Sequence, residues 1–137
     1  VRFVIFSLLL LFLHAPAYAQ DFVIIVNPEG PLVDADAQVV RHIYLGEKRF
    51  IAGVKLEPVN MSNFTLQENF LIRIVGMDSK EYRLHWIKKV FQEGLSFPPS
   101  FAAASEIVRF VRERKGAIAY IPKGESGITG VKVIGPP

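Results

Sequence analysis

The stretch Ile43-Tyr44-Leu45-Gly46-Glu47-Lys48-Arg49-Phe50, continued by Gly53 and Lys55-Leu56-Glu57-Pro58-Val59-Asn60, decides how the chain is built. Upstream of it Val39, Val40, Ile43 and Tyr44 recur at intervals of three and four, which puts apolar side chains on one face of a helix. Asp34 or Asp36 suits the start of that helix as an N-cap, and Gly46 stands where a left-handed C-terminal cap is expected. Val54 to Val59 then reads as a strand. A polar turn from Met61 to Thr65 opens a second helix, with Asn63 or Thr65 at its start, Phe70, Leu71, Ile74 and Val75 inward, and Gly76 at its end.

The same alternation extends in both directions. Phe22-Val23-Ile24-Ile25-Val26 is an unbroken, largely β-branched run, which suits a strand buried on both faces, and Asn27-Pro28-Glu29-Gly30-Pro31 stops it. Asp78-Ser79-Lys80-Glu81 has the spacing of a capping box and predicts a third helix over Tyr82 to Phe91, closed by Gly94. After Pro98-Pro99, Ser105 is the expected N-cap of a fourth helix with Ile107, Val108, Phe110 and Val111 inward. Ala117 to Ile121 is a strand stopped by Pro122, and Val131 to Ile134 a short edge strand beyond a glycine-rich loop. Strands separated by helix-length connections predict an α/β, three-layer fold with a mostly parallel sheet and helices on both faces.

These residues also carry a resemblance. The Ile43-to-Asn60 frame, with its helix end, aromatic, glycine and Pro-Val strand, resembles one lobe of a phosphate-type (type 2) periplasmic binding protein, and Lys115-Gly116-Ala117-Ile118-Ala119-Tyr120-Ile121 is similar to the Pro-Gly-Ala-Ile-Gly-Tyr-Val block that ends the second lobe of that family. The resemblance runs from about Val23 to Ile134. It implies a short single-lobe form, since the family encloses its ligand between two lobes. It also implies an anion site at the start of the second helix, where the family carries an Arg-Ser-x-Gly-Ser-Gly-Thr turn. Here Asn60 stands near the arginine position and the turn has no glycine.

The N-terminus speaks to compartment. Arg2, the apolar run Phe3 to Leu13 and the small-x-small triplet Ala17-Tyr18-Ala19 read as a signal peptide over residues 1–19, which predicts a periplasmic mature chain from Gln20 onward. Residues 20–137 are enough for one domain with one core. The chain has no cysteine, so an exported fold of this sequence has no disulfide and must hold by packing. A formal charge of +3, one unit of it from Arg2, is too small and too mixed with acids for a nucleic-acid reader.

Asn60, Ser62, Asn63, Phe64 and Thr65 are the candidate ligand residues. Free amides at a helix start favour an anion, and the Ser62 and Thr65 hydroxyls would add donors. The same residue types equally serve as a helix cap, Asn63 or Thr65 accepting from amides of the first turn. Asn60-Met61-Ser62 and Asn63-Phe64-Thr65 match the glycosylation acceptor pattern, read as chance in a bacterial-looking exported chain. Glu81 and His85 lie one turn apart, but a closed metal site needs three or four ligands, so no metal is expected. No nucleophile sits in a recognisable elbow, and the Gly124 to Gly130 loop is not followed by a helix, so neither an enzyme nor a nucleotide cofactor is expected.

Two functions follow. In the first the chain is an exported, non-catalytic solute-binding-like protein, resembling the phosphate-binding component of an ABC transporter, with a degenerate site for phosphate or another small anion. In the alternative it is a periplasmic accessory or interaction protein that keeps the fold and docks a membrane transporter, a sensor protein or a second copy. The expected docking edge is Asn27, Asn60 to Thr65 and Tyr120 to Lys123, with Met61, Phe64 and Tyr120 as its apolar anchors.

Overall fold

In chain order the elements are β1 (Phe22–Val26), α1 (Ala37–Tyr44), β2 (Phe50–Ile51), β3 (Val54–Lys55), β4 (Glu57–Pro58), β5 (Asn60–Met61), α2 (Phe64–Phe70), a π-helical turn (Leu71–Val75), α3 (Ser79–Glu93), β6 (Ser100–Phe101), α4 (Ala104–Glu113), β7 (Ala117–Pro122) and β8 (Lys132–Gly135). The computed structural model describes residues 20–136, so the expected signal peptide over residues 1–19 lies outside the described residues. The local signals account for most of these boundaries. Asp36 caps α1 by accepting from the Val39 amide at 2.9 Å, Asp78 caps α3 from the Glu81 amide at 2.8 Å, and Gly46, Gly76 and Gly94 end helices at positive φ.

Three local expectations are corrected. Helix α4 starts at Ala104 with Ala103 in the cap position, so Ser105 lies inside the first turn and does not cap it. Of the capping box only the Asp78 half forms among the described residues. Glu68 of α2 instead accepts from both the amide and the hydroxyl of Ser79, the first residue of α3. The strand expected over Val54 to Val59 is broken in two, because Val54–Lys55 turns back on Phe50–Ile51 as a hairpin before the chain enters β4. Its two-residue loop, Ala52-Gly53, has φ of 49° and 78°, the primed geometry that joins twisted strands most directly.

The main sheet has the order β4-β7-β1-β8 and is mixed, where a mostly parallel sheet was expected. Strand β4 is parallel to β7, whereas β1 pairs antiparallel with both β7 and β8. One strand, β1, therefore opposes the other three from the middle of the sheet. The chain leaving β1 passes through α1 and the hairpin and enters β4 in the opposite direction. Within this sheet, among the described residues, the β4-to-β7 connection is the one helical crossover between hydrogen-bonded parallel neighbours. A small second pairing, β5 with β6, is parallel and carries the chain from β4 into α2.

Every residue from Ala117 to Ile121 is fully buried, and since successive strand side chains point to opposite faces, both faces of β7 are covered. Helix α4 packs on β7 and β1. Tyr44 from α1, Phe70 from α2, Phe22 from β1 and Tyr120 from β7 meet in an aromatic cluster in which Phe70 stacks on Tyr120 with centroids 4.0 Å apart. Burying each of these rings contributes about 2–3 kcal/mol of hydrophobic stabilisation. The phenols are satisfied. Tyr44 donates to the carbonyl of Val59 at 2.8 Å, which ties α1 to the end of β4.

Candidate functional site

The candidate turn is held by the β5–β6 pairing. The Ser62 amide donates to the Phe101 carbonyl at 2.9 Å and the Asn63 amide to the Met61 carbonyl at 2.8 Å, so the chain bends sharply before α2. Asn63 then caps the helix, its side-chain oxygen accepting from the Leu66 amide at 3.2 Å. The capping reading and the ligand reading thus divide the residues between them. Ser62, Phe64 and Thr65 are exposed, and the amides of Phe64 and Thr65 have no partner among the described residues.

Asn60 is placed differently from the other four. It is 2% exposed and lies between two phenols: the Tyr120 hydroxyl donates to its oxygen at 3.0 Å, and its amide nitrogen donates to the Tyr82 hydroxyl at 3.2 Å. Burial pushes the Tyr82 phenol up to about 12 and raises Tyr120 as well, so both stay neutral hydrogen-bonding groups at physiological pH. An amide here completes a buried network that an arginine side chain would overfill.

Sequence reasoning missed the groups beside the turn. Gln20 bonds Asn63 through its side chain at 3.2 Å and accepts from Asn69 through its carbonyl at 2.7 Å, which lays the start of the described chain along α2. The next residue, Asp21, accepts from Arg73 at 3.1 Å and lies 3.8 Å from the Lys123 ammonium. The Phe22 amide and Arg73 together hold the Asp21 carboxyl below its ordinary range. A carboxylate of the chain at the start of β1 therefore already occupies two cations. They sit 52 and 102 residues from Asp21 along the chain, so no local pattern announces them.

The expected docking edge does not assemble. Because β1 runs against β7, with Phe22 opposite Pro122 and Val26 opposite Ile118, Asn27 falls at the far end of the sheet from Lys123 and the turn. Its side chain is buried and donates to the Val111 and Arg112 carbonyls. Met61 and Tyr120 are buried too, which leaves Phe64, 73% exposed, as the single apolar anchor of the three. His42 pairs with Glu47 at 2.5 Å and His85 contacts the Leu45 carbonyl at 2.7 Å. Among the described residues no three His, Cys, Asp or Glu side chains come together as a metal site would require.

The architecture is a mixed sheet with an inserted antiparallel strand, helices against it and a helix opening after the parallel edge strand. It is similar to the crystal structure of an ABC-type phosphate transport receptor from Vibrio cholerae, with a TM-score of 0.59 and 18% sequence identity over 84% of this chain. The match covers 45% of the receptor, so this chain spans less than half of its length. No family model matches the chain, and no curated protein matches it by sequence. The likeness is one of fold.

Proposed function

We propose that the protein is an exported, non-catalytic solute-binding-like module that retains one lobe of the phosphate-receptor architecture and meets a small anion weakly at the turn Ser62 to Thr65. The reading is carried by the fold's likeness to a phosphate transport receptor. The exposed hydroxyls of Ser62 and Thr65 and the unpartnered amides of Phe64 and Thr65 lend it support, as donors fit for an anion. Weakness follows from two features. Asn60 is engaged in the core, and one lobe leaves the anion open to water, which screens every contact. A transporter or sensor in the membrane is the natural partner of such a module.

Titration calorimetry with inorganic phosphate should give millimolar affinity for the wild-type chain. Ser62→Ala and Thr65→Ala should each weaken it. Sub-micromolar affinity in the wild-type, or indifference to both substitutions, would place the function elsewhere.

A second reading, an accessory protein that docks a partner without binding phosphate, is favoured by the outer face of α3. Leu84 and Phe91 are 51% and 85% exposed there and Ile87 lies between them, an apolar row at helical spacing on the side away from the buried Tyr82 and Trp86. Cross-linking in periplasmic extract should then yield a complex that Leu84→Lys/Phe91→Lys abolishes, with the melting temperature unchanged. A complex that survives this double substitution argues against the row.

A further inference from the structure

A groove of about 420 Å³ opens outside the β4 edge, and no residue of the turn from Asn60 to Thr65 lines it. Its volume lies within the roughly 300–1,000 Å³ range of small-molecule sites. The floor is built by a close approach. Gly46 packs so tightly on the Trp86 ring that a Cβ there would lie 2.8 Å from the ring edge, and the indole N–H is fixed on the Tyr44 carbonyl at 3.0 Å. Phe50 from the hairpin and Phe97 from the loop after α3 form the two lips, 58% and 47% exposed, with Leu95 and Leu56 between them. The walls are thus aromatic and aliphatic, the composition that retains an apolar body.

Three cations line the same groove. Lys48, Arg49 and Lys55 are exposed, and none is in an ion pair among the described residues. The one carboxylate in the lining, Glu57, is already taken by Arg114 at 3.2 Å. Arg49 also feels the charge of Glu93, which itself is bonded to Lys89 at 2.9 Å. The groove therefore combines an apolar floor with a positive rim of three cations, beside one lining carboxylate that is already paired.

We infer that this groove is a binding site for a small organic anion with an apolar body, an aromatic carboxylate or sulfonate, whose ring lies against Trp86 and Phe97 and whose charge meets Lys48, Arg49 and Lys55. Hydrated phosphate does not suit it, because an apolar floor returns nothing for the anion's lost water. A neutral aromatic would leave the cations unused. The inference does not depend on the turn at Ser62 to Thr65, so the two stand or fall separately.

The chain has one tryptophan, and it lies in the floor, which makes the site self-reporting. 1-Anilinonaphthalene-8-sulfonate titrated into the full chain should bind saturably at one site with emission sensitised from Trp86. 4-Phenylbutyrate should displace it, and neutral 4-phenylbutanol should be about tenfold less effective. Lys48→Gln/Arg49→Gln/Lys55→Gln should weaken the probe about tenfold without moving the melting temperature. Phe97→Ser, on an exposed lip, should weaken it as well, and inorganic phosphate should not compete. Equal displacement by acid and alcohol, unsensitised emission, affinity unmoved by both variants, or loss of binding in Phe91→Ser would overturn the assignment.

Discussion

Asn60 shows how one side chain can be read as a ligand and serve as a clamp. It joins Tyr120 of β7 to Tyr82 of α3 through two buried hydrogen bonds, so Asn60→Ala orphans two phenols and opens a small void. An orphaned buried hydroxyl costs about 1–3 kcal/mol, so urea denaturation of that variant should show a loss of roughly 2–4 kcal/mol. Ala52 makes the opposite case. Held at φ 49° in a two-residue hairpin loop, it occupies a conformation that disfavours a β-carbon, and Ala52→Asn should raise stability by about 0.5–1 kcal/mol, measured as a higher urea midpoint. Both residues are plain in the sequence. What was not legible was the buried partner of the first and the turn type of the second, since Phe50-Ile51-Ala52-Gly53 has no Asn-Gly or Asp-Gly signal to mark a hairpin.

Helices came through the sequence better than strands, because their signals are local. Asp36, Asn63 and Asp78 cap, and glycines stop, within three or four residues of the groups they satisfy. The end of α1 gathers several such requirements at one glycine. Gly46 has φ 72° and faces the Trp86 ring, which the Tyr44 carbonyl prevents from moving aside. Gly46→Ala therefore combines backbone strain with overpacking and should cost roughly 2–4 kcal/mol by urea denaturation, accompanied by a change in Trp86 emission. An unaltered midpoint would mean that α1 and α3 separate more easily than their packing indicates. Gly116 is a second such contact, since a Cβ there would meet the Lys55 carbonyl at 1.8 Å. The loop before β7 and the hairpin strand β3 can approach so closely only because that position is bare.

At the scale of the whole molecule, one core gathers β1, β7 and the helices, and three buried phenols tie it together. Burial raises the pKa of Tyr44, Tyr82 and Tyr120 above the ordinary 10.0, with Tyr82 near 12. Below pH 10 both the folded and the unfolded chain keep these protons and the stabilisation is complete. Above it the unfolded chain releases them first, so stability should fall by up to about 1.4 kcal/mol per pH unit for each phenol as pH rises from 10 towards 12. A melting temperature that is flat across that interval would contradict the network. The sequence by itself determined where most elements lie, which face of the first, second and fourth helices is apolar, and that Phe22–Val26 is a central strand, because periodicity, caps and β-branched runs act over a few neighbouring residues. Only the tertiary structure decided that β1 opposes the rest of its sheet, that Asn60 is a core residue, that Asp21 occupies Arg73 and Lys123, and that an aromatic groove with a positive rim opens beside β4. Those outcomes rest on contacts between residues tens of positions apart in the chain, such as Asn27 with Val111 across 84 residues, and no local pattern carries the direction of a distant strand or the partner of a buried amide.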